Sequence, residues 1–133
     1  MQTGYAAQSE YSMQVQVFDW SRDPANLKKF PELALMFHVP NGGARDKITG
    51  ARLKRMGVLP GIPDIFLPIA RSGFHGLWIE LKAKGKKPRP EQMNVLNGLI
   101  AEGYAAIWAD SAEMAIEQIG KYLTAGVRPL IPK

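Results

Sequence analysis

The sequence predicts an α/β protein with a mixed sheet of about four strands and helices on both faces. Three observations carry that expectation. Strand-like apolar runs alternate along the chain with segments of helical period. Two of the runs, residues 62–67 and 76–82 within GIPDIFLPIARSGFHGLWIELK, flank Arg71, Ser72 and Gly73, which are turn residues, so they read as a β-hairpin. Caps, glycines and prolines punctuate the helical segments where helices should start or stop.

Taken in order, residues 8–20 form a first helix with Ser9 as cap and Tyr11, Val15 and Phe18 spaced i, i+4, i+7. Glu10 and Gln14 lie four apart on another stripe, where they could face one common target. A glutamate in a first turn equally serves the helix dipole, so position alone leaves Glu10 open. Residues 21–31 connect onward, with a helical turn expected at 26–30. A strand follows over 33–39, placing Leu35, Phe37 and Val39 on one side and His38 on the other. Pro40, Asn41, Gly42 and Gly43 end it. The glycines permit close backbone approach to a ligand and Asn41 adds donors, so a phosphate or metal-edge contact and a plain tight turn are both open.

Residues 46–56 read as a short helix closed by Gly57 and surrounded by Arg45, Lys47, Arg52, Lys54 and Arg55, with Asp46 the one acid nearby. That face is either solvated or in contact with DNA. Beyond the hairpin, residues 83–89 form a basic loop whose Lys84, Lys86, Lys87 and Arg89 suit a phosphate backbone. Pro90 opens a helix through 102, with Gln92 in its first turn, Met93, Leu96, Leu99 and Ile100 as buried stripe, and Gly103 as stop. Residues 104–109 read as a buried strand. Asp110 and Glu113 offer a cap to the last helix, along which Ala112, Ala115, Ile116, Ile119, Tyr122 and Leu123 keep helical spacing until Gly126. One domain is expected over 1–133, with its core at about 8–124 and an extended tail at 125–133.

Composition narrows the function. At 133 residues and 46% apolar content, the chain supports one domain with a real core. It has no cysteine, hence no disulfide framework and no thiolate zinc site, and an intracellular setting fits. There is no apolar run of membrane length and no recognisable export signal at the N-terminus. A net charge of +5 favours a polyanionic partner without identifying one.

The hairpin carries the chemistry. If Asp64 faces Glu80, the hairpin centre falls at Ser72, inside the turn that composition already demands, and Phe66 falls opposite Trp78. Alternation then puts Asp64, Glu80 and Lys82 on one face and Leu77, Ile79 and Leu81 on the other. Two carboxylates on neighbouring strands can share a hard divalent cation such as magnesium, which polarises a phosphoryl oxygen and lowers the pKa of a bound water. Lys82 reaches the same face, where it could orient that water or offset phosphate charge. The plainer alternative is a surface ion pair between Glu80 and Lys82, but two acids and a lysine at hairpin register favour a site.

This ordered series resembles the PD-(D/E)XK nuclease superfamily, and within it the small stand-alone VRR-NUC (virus-type replication-repair nuclease) domains. The likeness runs over roughly residues 10–122. It rests on Glu10 with Gln14, HVPNGG at 38–43, LKRMGVLPGIPD at 53–64, GLWIELK at 76–82, Gln92, and the pair Gly103-Tyr104. The resemblance implies magnesium- or manganese-dependent cleavage of DNA. Asp64 and Glu80 would ligate the ion with the backbone carbonyl of Leu81. Lys82 would position or help activate the attacking water, Glu10 would approach the metal shell, and Gln92 would support the site. It also implies a homodimer acting on branched DNA as Holliday junction resolvases do. A nuclease for flaps, ends or duplex, and a DNA-binding module without turnover, are the alternatives.

Overall fold

The computed structural model describes residues 9–40 and 47–125. Asn41, Gly42, Gly43, Arg45 and Asp46, and the tail beyond residue 125, lie outside them. The hairpin turn sets the sheet. Ser72 and Gly73 both take positive φ, 53° and 88°, which closes a two-residue turn between Arg71 and Phe74. From that turn β2 (Ile65–Leu67) and β3 (Leu77–Leu81) pair antiparallel, with Ile65 opposite Ile79, Phe66 opposite Trp78 and Leu67 opposite Leu77. This is the register expected from the position of the turn. β1 (Phe37–His38) pairs antiparallel with β2, and β4 (Ala105–Ala109) runs parallel to β3, giving a mixed sheet in the order β1-β2-β3-β4.

One face of the sheet makes the core. Ile65, Leu67, Leu77, Ile79 and Leu81 pack with Met13 and Val17 of α1 (Glu10–Arg22) and with Ala112, Ala115, Ile119 and Leu123 of α5 (Ala112–Thr124). The other face carries an aromatic layer. Phe66 and Trp78 stack at 4.1 Å between centroids, with Phe37 and Tyr104 edge-on to Phe66. On this side α4 (Pro90–Ala101) brings Gln92 onto Glu80. Helices therefore cover both faces. The hairpin tip is fastened from outside the sheet: Arg71 pairs with Glu32, and the Tyr122 hydroxyl donates to the Ile69 carbonyl at 2.6 Å. No helix among the described residues is long and apolar enough to cross a membrane.

Several elements differ from expectation, each for a physical reason. On α1 the stripe of Tyr11 and Val15 faces out, at 78% and 39% exposure, and the buried side is Met13, Val17 and Ser21. Both stripes are apolar enough to dock. Ser21 can be buried because its hydroxyl donates to the Phe18 carbonyl within the helix. The connection after α1 is a full helix, α2 (Pro24–Lys29), capped by the Asp23 carboxylate. Residues 33–35, expected in a strand, lie in a 3-10 segment, Pro31–Leu35. Pro31 presets a helical first turn there, and the Arg22 guanidinium donates to the carbonyls of Leu33 and Met36. β4 is half-buried except at Ala109, because it is an edge strand paired on one side only. On α4 Ile100 is exposed, and the buried positions are Gln92 and Leu96. The cap of α5 is the Ser111 hydroxyl, which accepts from the Met114 N–H, in place of Asp110 and Glu113.

The segment between β1 and β2 contains α3 (Lys47–Arg55), and Gly61 anchors its return. Gly61 is buried at φ +89°, and a Cβ there would sit 2.9 Å from the Glu91 carbonyl oxygen. Gly57 has a similar φ of +101° with open space around it. Gly57→Ala should therefore cost about 1–2 kcal/mol for the left-handed conformation alone. Gly61→Ala should cost clearly more, by roughly a further 1–3 kcal/mol of overpacking, as read by urea denaturation. Equal losses would remove the packing role assigned to Gly61.

Candidate active site

Strand alternation and one turn of helix assemble the site. Ile79 and Leu81 point into the core, so Glu80 between them faces outward under α4. Asp64 lies one residue before β2 and is held by both neighbouring strands. Its carboxylate Oδ2 accepts from the Leu81 N–H at 2.8 Å, and its carbonyl accepts from the Val39 N–H at 2.8 Å. His38 Nδ1 lies 2.7 Å from the same carbonyl. A carbonyl oxygen carries no proton, so Nδ1 is the protonated ring nitrogen in that contact.

Gln92 is the hub of the other half. Its Nε2 donates to Glu80 Oε2 at 2.8 Å, and its Oε1 accepts from Lys82 Nζ at 3.3 Å and from the Arg89 N–H at 2.8 Å. The last of these closes the first turn of α4, so the helix start and the site share one side chain. Glu10 Oε2 accepts from the Ala83 N–H at 3.0 Å and stands 3.7 Å from Lys82 Nζ. Glu80 and Lys82 are 3% and 5% exposed, burial that charged groups tolerate only when they are paired.

Glu10, Asp64, Glu80, Lys82 and Gln92 are thus brought together, and the Leu81 main chain lies between the two acids. The Gln14 side chain makes no hydrogen bond among the described residues and does not join them. Lys84, Lys86 and Lys87 are exposed on the loop, while Arg89 pairs with Glu91 at 2.8 Å in an exposed bridge of little energetic weight. His38 was legible only as a residue on the opposite side of β1 from Phe37. Its hold on Asp64 required the β1–β2 pairing.

Electrostatics mark the two acids. Burial pushes Glu80 up to about 8, the Asp64 charge adds to that, and Lys82 pulls against it. Burial also raises Asp64; the Leu81 N–H opposes the shift and Glu10 reinforces it. Glu80 Oε1 is buried with no hydrogen-bond partner, and Asp64 Oδ1 carries none among the described residues. Carboxylate oxygens of this kind are the donor type that a hard divalent cation takes. Among the described residues no group of three or more His, Cys, Asp or Glu encloses a metal. A cation here would complete its shell with main-chain oxygen and water, as magnesium does.

A solved structure described as a VRR_NUC domain protein matches 95% of this chain and 97% of its own, at a TM-score of 0.78 and 30% sequence identity. The chain belongs to the VRR-NUC family. It is accordingly a nuclease domain on the PD-(D/E)XK type of core. No protein-family model matches the sequence, and no curated protein matches it.

The raised Glu80 has a thermodynamic sign in this VRR-NUC domain. Its folded pKa of about 8 lies above the ordinary 4.5, so the folded state holds the proton more tightly. That contribution is fully present below pH 4.5 and is lost as pH rises through about 8. Glu80→Gln keeps the shape and removes the ionisation. In chelator at pH 8 or above, it should melt roughly 3–5 °C above the parent, with the gap closing toward pH 5. A variant that melts below the parent at high pH would show that Glu80 ionises without penalty.

Proposed function

We propose that this domain is a divalent-metal-dependent endonuclease that hydrolyses phosphodiesters in branched DNA, in the manner of a Holliday junction resolvase. One observation carries the chemistry: Asp64 and Glu80 lie together at the sheet end with Lys82 beside them, and Gln92 ties Glu80 to Lys82. Asp64, Glu80 and the Leu81 carbonyl would hold magnesium or manganese, which when bound supplies Lewis-acid polarisation of the phosphoryl oxygen and a more acidic water.

The protein's own groups do the rest. Lys82 presents N–H donors to the attacking water and to the charge that builds on the phosphate. Gln92 holds the Lys82 ammonium at 3.3 Å, and Glu10 balances it from the other side, so the donors are aimed before substrate arrives. In the reaction the water oxygen bonds to phosphorus and gives up a proton to solvent, the bond to the leaving oxygen breaks, and that oxygen takes up a proton, so one water is consumed and no net proton. The basic loop supports binding of the substrate backbone. A two-fold homodimer would present two equivalent sites to a branched, nearly symmetric substrate.

The decisive assay uses a labelled four-way junction, a flap and a linear duplex, each with magnesium, manganese or chelator. Paired symmetric cuts in the junction alone are expected, and chelator should abolish them. Glu80→Ala and Lys82→Ala should lower the rate by on the order of 10³-fold, with junction binding retained for Glu80→Ala. Metal-dependent cutting of flap or duplex instead would keep the chemistry and change the substrate. Binding without cleavage in any condition would leave a non-catalytic module.

A further inference from the structure

α3 stands apart from the packed core. None of its described residues joins the buried cluster, and its more sheltered positions, Thr49, Gly50 and Leu53, are only half-buried. Its sequence KITGARLKR contains no acid, and neither does the return segment VLPGIP. Among the described residues no acid pairs with Arg52, Lys54 or Arg55, all three of which are exposed. At about 100° per residue, Lys54, Ala51, Arg55 and Arg52 fall in that order along a continuous arc of roughly 160°, opposite the half-buried side. Ala51 lies inside the arc, where its small side chain leaves room for close approach. Three cations on one face without a protein counter-charge repel one another weakly in water, and a polyanion laid along that face turns the repulsion into attraction.

The placement of α3 specifies which anion. Both ends of the excursion from β1 to β2 are pinned at the site: Val39 donates to the Asp64 carbonyl, and Gly61 packs against the Glu91 carbonyl and Val95 of α4. Nine residues from Arg55 to Asp64 reach at most about 30 Å, and the turns at Gly57 and at Ile62, whose N–H donates to the Leu59 carbonyl, shorten that span. The basic loop after Lys82 leaves the same end of the sheet. Two basic segments from different parts of the chain, α3 and the loop after Lys82, are therefore both tethered to the strand end that carries the carboxylates.

We propose that α3 is a second phosphate-backbone contact, gripping a duplex arm of the DNA substrate through Arg52, Lys54 and Arg55. This rests on the nuclease reading and adds to it the surface that holds the uncut part of the substrate. A second copy of the chain is a poorer occupant, because a two-fold contact centred on this arc would set like charges against each other.

The test is fluorescence anisotropy in chelator with a labelled four-way DNA junction over a series of salt concentrations. The parent, the combined variant Arg52→Gln, Lys54→Gln, Arg55→Gln, and the loop variant Lys86→Gln, Lys87→Gln are compared. All substituted side chains are exposed, and circular dichroism checks that each variant folds. The α3 variant should bind at least about tenfold more weakly, with its log–log salt slope shallower by roughly 2–3 units. A parent that binds and an α3 variant with the same affinity and slope would overturn the inference and leave the nuclease reading intact. A variant that loses binding together with its oligomeric state, by light scattering, would assign the face to a copy interface and also overturn it. A parent that does not bind the junction would overturn both this inference and the junction-resolvase reading.

Discussion

The closeness of two carboxylates imposed by an antiparallel register is the constraint on which the rest of the structure depends. Once Ser72 and Gly73 set the turn, Phe66 must face Trp78, and one step further the chain brings Asp64 beside the β3 segment carrying Glu80. Period-two alternation sends Leu77, Ile79 and Leu81 into the core, so a slip of one residue would bury the acids against α1 and α5. The apolar face therefore enforces the polar one. Core packing fixes the geometry of the site.

That arrangement is costly without a cation. Burial raises both acids, the Asp64 charge raises Glu80 further and the Glu10 charge raises Asp64, and one oxygen of Glu80 is left without a donor. The fold compensates partway. Gln92 joins Glu80 to Lys82 and also completes the first turn of α4, and Glu10 reaches from α1 to the Lys82 ammonium and the Ala83 N–H. Helices from both faces are thus tied to one strand end. The polar network is preorganised around a remaining deficit of positive charge, as expected where function overrides local stability.

Much of this was legible in the sequence, and the parts that were not share a cause. Turn chemistry located the hairpin, and parity placed Asp64, Glu80 and Lys82, because both signals are local. The likeness of Gln92 and Glu10 to family positions brought them to the same place, although no periodicity distinguishes a supporting glutamine from a solvated one. The buried stripe of α1 was not decided by spacing, since residues 11, 15 and 18 and residues 13 and 17 are both apolar and tertiary docking chose between them. The 3-10 segment was missed because its carbonyls are satisfied by Arg22, a partner remote in sequence. His38 was missed for the same reason: its partner is a main-chain carbonyl 26 residues away.

If the paired acids form a divalent-cation site, direct titration with manganese reveals it without any DNA substrate. Calorimetry near pH 7 in buffers of different ionisation enthalpy reads both binding and any proton released. The predicted result is saturable binding by the parent with release of a proton from Glu80, and binding lost or weakened by on the order of 100-fold in Asp64→Asn and Glu80→Gln. Equal manganese affinity in the parent and both variants would contradict it.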